Sequence, residues 1–267
     1  MVRGSGPSGD AFPWTVPALH AFRELRFPAA VTFLMGENGC GKSTLLEALA
    51  IAAGAVAAGA TGLANDPSFA GSRALAETLA LSKAPRRPRT RLFFRAEDAL
   101  GFHRRVRDEM DELERLASAI DEEARTLGDV AGGKRRAAGN LRGERAQLTR
   151  GYGEDPHAQS HGEAFARILD RRLVPEGLYF LDEPETPLSP TRVLALLATI
   201  RAHARSGSQF VIATHSPILA ALPDAAIYLI DGARIARTAY ADLESMRVTR
   251  DFLNAPERYL RHLDDDR

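Results

Sequence analysis

Residues 36–44 read Gly36-Glu37-Asn38-Gly39-Cys40-Gly41-Lys42-Ser43-Thr44, and this stretch decides the fold. It matches the pattern G-x-x-x-x-G-K-[ST]. The apolar residues 31–35 before it predict a buried strand, and residues 45–50 after it predict a helix. Strand, glycine-rich loop and helix in this order are the context that the motif requires. The alternative is an ordinary glycine-rich turn, but few such turns need the Lys-Ser pair as well.

The residue types of this loop suit a chain of phosphates. Its glycines let the backbone curl, so that successive N–H groups point at an anion resting on the helix N-terminus. Lys42 is expected to reach the β- and γ-phosphates of ATP, and the Ser43 hydroxyl to ligate Mg²⁺. The sequence therefore predicts a nucleotide-binding loop with these contacting residues: Gly36, Asn38, Gly39, Cys40, Gly41, Lys42, Ser43 and Thr44.

Composition sets limits on the class of protein. The 267 residues are 45% hydrophobic, and 35 Lys and Arg balance 35 Asp and Glu, so overall charge does not favour nucleic acid or membrane. Cys40 is the single cysteine, which excludes a disulfide framework and predicts a cytoplasmic protein. Residues 1–10 lack the apolar core of a signal peptide and are expected to be a frayed tail. Residues 45–64 are predicted to be a buried helix and loop, with no membrane insertion.

Two later strands carry polar residues at their ends. The apolar residues 178–181 lead into Asp182-Glu183, and the predicted strand 209–213 leads into Thr214-His215-Ser216-Pro217. Asp182 is expected to hold Mg²⁺, and Glu183 to orient and deprotonate the attacking water. His215 is expected to donate a hydrogen bond to the γ-phosphate. Strands that alternate with helices predict an α/β fold with a doubly wound, mostly parallel sheet.

The middle of the chain has a different pattern. Apolar residues recur every three or four positions in a heptad seam, formed by Val106, Met110, Leu113, Ala117, Ile120, Ala124 and Leu127. With a turn at Gly132-Gly133 and a second helix over 134–150, in which Ala137, Leu141 and Leu148 could pack back, this predicts an antiparallel helical hairpin. An amphipathic helix on the protein body is the alternative. The predicted domains are an N-terminal ATPase lobe (1–98), an inserted helical lobe (99–158) and a C-terminal ATPase lobe (159–267).

Three further segments have weaker sequence patterns, and for two of them more than one interpretation remains. Residues 12–27 suit short edge strands, and Trp14 or Phe12 could stack on adenine, although core or edge packing is favoured for both. A short helix is predicted over 73–81. The basic residues 83–91 suit a solvated loop or a surface that contacts nucleic-acid phosphates.

The order of these motifs resembles the ABC-class ATPase domain, a P-loop fold shared by transporter motors, SMC proteins and the coiled-coil ATPases of DNA break repair. The resemblance rests on the phosphate loop, Ser-x-Gly-Glu at 160–163, Leu-Asp-Glu-Pro at 181–184 and Thr-His-Ser-Pro at 214–217, and covers residues 12–237. Residues 36–39, 159–163 and 249–258 resemble more narrowly a group of small stand-alone bacterial ATPases of the AAA or ABC-like type.

This resemblance implies further roles. In the family, the residues that match Ser160 and Gly162 grip the γ-phosphate of ATP bound to the other subunit, which implies an ATP-dependent head-to-tail homodimer. His161 stands where the family has a glycine. The family's switch glutamine is missing after the second strand, where Arg95-Ala96-Glu97 stands, and Glu97 is a candidate for Mg²⁺ or its bound water.

The resulting expectation is an ATP-hydrolysing enzyme with a dimerisation cycle. One alternative is a nucleic-acid-binding clamp that uses the hairpin and the basic residues 83–91. A second is the ATP-binding subunit of a membrane transporter, against which the missing glutamine and the altered signature argue.

Overall fold

The computed structural model describes residues 1–6, 9–57, 63, 67–82, 87–96, 98–127, 132–152 and 161–264. The described residues form ten strands. These are β1 (Val2–Gly4), β2 (Glu24–Leu25), β3 (Val31–Gly36), β4 (Val56–Ala57), β5 (Leu79–Leu81), β6 (Arg91–Arg95), β7 (Leu178–Asp182), β8 (Gln209–Ala213), β9 (Ala226–Asp231) and β10 (Arg234–Arg237).

Seven strands form the central sheet, in the order β10-β9-β3-β8-β7-β6-β4. All neighbours pair in parallel except β9 and β10, which form an antiparallel edge. The middle strands are continuous apolar runs because parallel strands covered by helices are buried on both faces. Phe33, Phe180 and Phe210 lie in this interior. The predicted doubly wound, mostly parallel sheet is confirmed.

Ten α-helices accompany the strands in the described ranges. They are α1 (Pro17–His20), α2 (Lys42–Ala53), α3 (Ala70–Glu77), α4 (Asp98–Leu127), α5 (Gly132–Tyr152), α6 (His161–Arg172), α7 (Pro190–Arg205), α8 (Pro217–Ala220), α9 (Glu244–Asn254) and α10 (Glu257–Asp264).

Helix α2 starts directly after the glycine-rich loop and packs on the sheet. It contacts strands β3, β6, β7 and β8. Leu45, Leu46 and Leu49 on this helix are fully buried. Burial of a leucine side chain contributes roughly 1.5–3 kcal/mol, so packing against the sheet holds the start of the helix, and the loop before it, in place.

A second, three-stranded antiparallel sheet has the order β2-β1-β5. Val2 pairs with Leu25 on one side and Leu81 on the other, and only 2% of its surface is exposed. The prediction of a frayed tail over residues 1–10 is therefore wrong at this strand. The helix predicted over 73–81 spans Ala70–Glu77 instead, because the chain leaves α3 at Glu77 and joins this sheet at Leu79. Residues 12–27 supply one short strand here, not edge strands of the central sheet.

The chain divides into two compact units, residues 1–96 with 173–267, and residues 97–172. The second unit consists of α4, α5 and α6, and α4 and α5 pack along one another as a hairpin. Val106, Met110, Ala117 and Ala124 of the heptad seam are buried. The two arms form the predicted hairpin with two corrections: Ala138, and not Ala137, is the buried alanine of α5, and Gly132-Gly133 are the first two residues of α5.

Ion pairs connect the two arms of this hairpin. Arg142 Nη1 lies 2.6 Å from Asp121 Oδ2, Arg145 Nε lies 3.6 Å from Glu114 Oε2, and Lys134 pairs with Glu123. Exposed pairs contribute roughly 0–1 kcal/mol each, so the buried seam and not these pairs holds the arms together.

None of the helices in the described ranges is long and apolar enough to cross a membrane.

Candidate functional site

The ends of three neighbouring strands bring the site together. Strand β8 lies between β3 and β7, and Ala213 at its end pairs with Leu34 on one side and Asp182 on the other. The glycine-rich loop follows β3, Thr214-His215 follows β8, and Glu183 follows Asp182 on β7. Because the three strands are parallel, all of these residues leave the same edge of the sheet.

The glycines of the loop are required at two points. A Cβ on Gly36 would lie 2.4 Å from the carbonyl oxygen of Ile230, so the strand beside it leaves no room for a side chain. Gly41 caps α2 with a φ of 95°, and a Cβ there would lie 2.9 Å from Val16 Cγ1. The loop can follow this path only with glycine at both positions.

Lys42 is a buried cation within the loop. Only 4% of its surface is exposed, and its Nζ donates to the carbonyl oxygens of Gly36 at 2.9 Å and Glu37 at 2.8 Å. A buried charge is costly unless it is paired. Among the described residues no carboxylate forms an ion pair with Lys42. The ammonium group is therefore suited to an anionic ligand on the loop.

Ser43 and Asp182 meet although they lie far apart in the sequence. Ser43 Oγ donates to Asp182 Oδ1 at 3.0 Å, and Asp182 is 3% exposed. Burial raises the pKa of Asp182 to about 6, although the hydrogen bond from Ser43 and the charge of Arg95 act in the opposite direction. A hydroxyl and a carboxylate oxygen side by side are ligands that Mg²⁺ accepts.

Arg95 stands where the resemblance leads one to expect the switch glutamine. Its Nε lies 3.5 Å from Asp182 Oδ2, and its guanidinium also pairs with Glu47 on α2. Its Cζ lies 5.0 Å from the centre of the Phe69 ring. One guanidinium is thus shared by two buried carboxylates. Glu97, the predicted metal ligand two residues on, lies outside the described residues.

The carboxylate of Glu183 lies beside the imidazole of His215. Glu183 Oε1 and His215 Nε2 are 3.6 Å apart, and Thr186 Oγ1 donates to Glu183 Oε2 at 3.4 Å. Glu183 has a φ of 45°, a left-handed conformation that costs on the order of 1–3 kcal/mol for a residue with a side chain. His215 Nε2 is buried and finds no hydrogen-bond partner within the part of the chain described. Both features are typical of residues that act on a ligand.

Glu185 is a residue of this site that the sequence reasoning missed. Its Oε1 accepts hydrogen bonds from Thr214 Oγ1 at 2.6 Å, His215 N at 2.9 Å and Ser216 N at 3.1 Å. Local sequence pattern does not indicate these contacts, because the donors follow a strand that lies far along the chain from Glu185. A third carboxylate in Asp182-Glu183-Pro184-Glu185 is the signal that could have found it.

The other residues predicted to contact the nucleotide lie in several parts of the chain. Ser160 lies outside the described residues, and Gly162 belongs to α6 in the second unit. Trp14 is buried in the core, as core packing predicted, whereas Phe12 is exposed and its ring lies against Gly71. Cys40 is partly buried, with its sulfur 3.9 Å from Lys42 Nζ.

The raised pKa of Asp182 leads to a stability prediction for the magnesium-free protein. A carboxyl whose pKa moves from 3.8 to about 6 on folding is destabilised as an anion by about 3 kcal/mol. The folded state binds the proton more tightly than the unfolded state, so this cost is present above about pH 6 and disappears as the pH falls toward 4. Asp182→Asn should therefore raise the free energy of unfolding by about 1–3 kcal/mol near pH 8, and by less near pH 5.

Urea denaturation in EDTA at both pH values measures the effect. Arg95→Met is the matched control, because it removes the shared cation from two buried carboxylates and should destabilise the protein by about 3 kcal/mol. A lower free energy of unfolding for Asp182→Asn near pH 8 would contradict the prediction.

Strand, glycine-rich loop, buried lysine and the serine–aspartate pair together define a P-loop nucleotide-binding site. Residues 164–221 match the family model described as "AAA domain, putative AbiEii toxin, Type IV TA system", and residues 19–125 match one described as "AAA domain". Two relatives named "Hemin import ATP-binding protein HmuV", from Burkholderia pseudomallei (strain 1710b) and Burkholderia mallei (strain ATCC 23344), are each 35% identical over 228 residues, covering 81% of this chain and 80% of the relative.

The chain belongs to the ABC-class P-loop ATPases, and it binds and hydrolyses ATP. A solved structure titled "An inward-facing conformation of a putative metal-chelate type ABC transporter" is 15% identical, covers 84% of this chain and 76% of its own, and has a TM-score of 0.39. The family assignment rests on the two relatives and not on this likeness.

Proposed function

We propose that ATP binding brings two copies of this ATPase together head to tail, and that hydrolysis separates them. The proposal that this site hydrolyses ATP rests on one observation. Lys42, the Ser43–Asp182 pair and the Glu183–His215 pair all lie at one edge of the sheet. A buried cation, a metal-binding pair and a base are the groups that phosphoryl transfer to water requires.

Mg²⁺ fits the Ser43–Asp182 pair. When bound, the ion would neutralise charge that develops on the β- and γ-phosphate oxygens. Ser43 Oγ and Asp182 Oδ1 would hold it, with Glu97 as a further proposed contact. Among the described residues no group of three or more His, Cys, Asp and Glu side chains could hold a metal. Phosphate oxygens and water would complete the coordination, as is usual for Mg²⁺.

Glu183 and His215 would act on the attacking water and the terminal phosphate. Glu183 is partly exposed, so its carboxylate can accept a proton from a water molecule in front of it. The buried His215 Nε2, which lacks a hydrogen-bond partner among the described residues, would donate to the γ-phosphate. The strained backbone at Glu183 supports this role, because such conformations concentrate at active sites.

The homodimer rests on the resemblance of residues 159–163 to the ABC signature motif. Ser160 and Gly162 of one copy would contact the γ-phosphate held by Lys42 of the other. Light scattering of the wild-type chain with Mg²⁺ and a nonhydrolysable ATP analogue tests this step. The molar mass should double on addition of the analogue. A mass that stays at one chain, with the analogue shown to be bound, would contradict the dimer while leaving the ATPase intact.

The two Burkholderia relatives favour a second candidate, the ATP-binding subunit of an importer. Arg95 in place of the glutamine and His161 in the signature motif argue against it. Fractionation of native cells distinguishes the two candidates. Recovery of the chain in a stable complex with a membrane-spanning subunit would favour the importer, whereas recovery without such a subunit would favour the stand-alone cycle.

The nucleic-acid clamp has less support. Arg142, Arg145 and Lys134 of the hairpin already face acidic partners on the other arm, and residues 83–86 of the basic segment lie outside the described ranges. A mobility shift with duplex DNA that weakens steeply with salt would favour the clamp. No shift at low salt, with or without ATP, would remove it.

A further inference from the structure

The carboxylate of Glu185 connects two loops of the site. Strand β8 ends at Ala213, and two of the backbone N–H groups beyond it, those of His215 and Ser216, donate to Glu185 Oε1 together with the Thr214 hydroxyl. A carboxylate that accepts several hydrogen bonds holds its donors more firmly than a neutral acceptor does. Glu185 therefore determines the backbone path on which the His215 side chain is carried.

The same carboxylate is fixed relative to Glu183. Thr186 N donates to the Glu183 carbonyl oxygen at 3.1 Å, and Leu188 N donates to the Glu185 carbonyl oxygen at 2.8 Å, so residues 183–188 form two consecutive turns. Glu183 N also donates to the Ala213 carbonyl oxygen at 2.9 Å. Glu183, Glu185 and the backbone of His215 thus form one connected unit at the ends of β7 and β8.

We propose that Glu185 is a positioning residue for ATP hydrolysis, which holds His215 at the correct distance from Glu183 and the γ-phosphate. Without the Glu185 carboxylate, His215 N loses the acceptor that holds it, Ser216 N keeps only Thr214 Oγ1 at 2.9 Å, and the His215 ring loses its fixed approach to Glu183. A displacement of about 1 Å in a catalytic group can lower turnover by about 10²-fold. The inference rests on the proposed roles of Glu183 and His215.

The two oxygens of Glu185 differ in a way that permits a sharp test. Oε1 receives all three donors, whereas Oε2 is buried and has no hydrogen-bond partner among the residues that the structure describes. Glutamine can keep its oxygen at the Oε1 position and put its amide group at the Oε2 position. Glu185→Gln should therefore keep the three hydrogen bonds, and Glu185→Ala should lose them.

The experiment is a double-mutant cycle in the full-length chain, with kcat and the Kd of a nonhydrolysable ATP analogue as separate readouts. Glu185→Ala should lower kcat by on the order of 30- to 100-fold and change Kd by less than about 3-fold, since it displaces a catalytic group without removing a phosphate contact. Glu185→Gln should keep kcat within about 5-fold of wild type. Because Glu185 acts through His215, Glu185→Ala with His215→Ala should be no slower than His215→Ala alone, within about 3-fold.

Tyr240→Phe is the matched control. It removes a hydrogen bond of 3.0 Å from the Tyr240 hydroxyl to the Pro217 carbonyl oxygen, just beyond the same loop, without touching Glu185. Its kcat should stay at the wild-type value. Should Glu185→Ala fail to fold, Thr214→Val removes one of the three donors to Glu185 together with the second acceptor of Ser216 N, and it should lower kcat by about 3- to 10-fold with Kd unchanged.

Two outcomes would overturn the inference and leave the proposed function standing. The first is that Glu185→Ala has the wild-type kcat while His215→Ala is slow. If Glu185→Ala does not fold, a wild-type kcat in Thr214→Val has the same meaning. The other is a double variant slower than His215→Ala by the full factor of Glu185→Ala, which would make the two residues independent. Wild-type kcat in His215→Ala would remove the proposed role of His215 and this inference with it.

Discussion

Lys42→Ala should weaken ATP binding by at least about 100-fold. The Lys42 ammonium is buried, and within the described part of the chain it donates to the carbonyl oxygens of Gly36 and Glu37 and lies 3.9 Å from the Cys40 sulfur. Charge-assisted hydrogen bonds to phosphate are roughly twice as strong as neutral ones, and alanine supplies neither charge nor donor. Titration calorimetry with ATP in the presence of Mg²⁺ measures the change in Kd.

The control for this prediction is Lys134→Ala. It removes a lysine that pairs with Glu123 on the helical hairpin, in the second unit, and should leave the Kd of ATP unchanged. Thermal unfolding of Lys42→Ala in the absence of nucleotide shows whether the loop variant is folded. A folded Lys42→Ala protein that binds ATP within about 3-fold of the wild-type Kd would mean that the loop does not hold the phosphates as proposed.

Glu183→Gln should bind ATP normally and hydrolyse it about 10²- to 10⁴-fold more slowly, the range expected for loss of a general base. Glutamine matches the size of glutamate and keeps the Thr186 hydrogen bond, but it cannot accept a proton from water. Since hydrolysis is the step proposed to separate the two copies, this variant should also accumulate as a dimer with Mg-ATP. A steady-state ATPase assay and light scattering measure the two effects.

Glu176→Gln is a closely matched control. Glu176 is another glutamate with a positive φ, 64° against 45° at Glu183, and its carboxylate faces Arg89 at 3.6 Å. The same chemical change there should leave kcat unaltered. If Glu183→Gln turns over at the wild-type rate, Glu183 is not the base. If it is slow but stays a single chain with saturating Mg-ATP, the base is retained and the dimerisation cycle is wrong.

Much of the site could be read from residues close together in the sequence. The loop at 36–44 follows an apolar strand and precedes a helix, and the acidic pair Asp182-Glu183 ends another apolar run. Such patterns are local, because strand, turn and helix each leave a period of a few residues. The heptad seam in α4 predicted the hairpin for the same reason, and an error of one residue, Ala137 for Ala138, reflects the weaker pattern of α5.

Contacts between residues far apart in the sequence leave no local pattern. The pairing of Arg95 with Asp182 and Glu47 requires that β6 lie beside β7 and face α2. The hydrogen bonds of Glu185 require the end of β8 next to the turn after β7. The three residues of β1 carry too little pattern to indicate a strand, and the partners of Val2, Leu25 and Leu81, lie far along the chain.

The sequence by itself determined that a phosphate-binding loop, an acidic strand end and a histidine exist in this protein, because each is specified by its own neighbours. Only the tertiary structure decided that β8 separates β3 from β7, so that Lys42, Asp182 and His215 leave one edge of the sheet. It also decided that Arg95 lies beside Asp182 and that Glu185 binds the backbone of His215. Strand order depends on which apolar faces bury one another across the whole chain, and no local period encodes that choice.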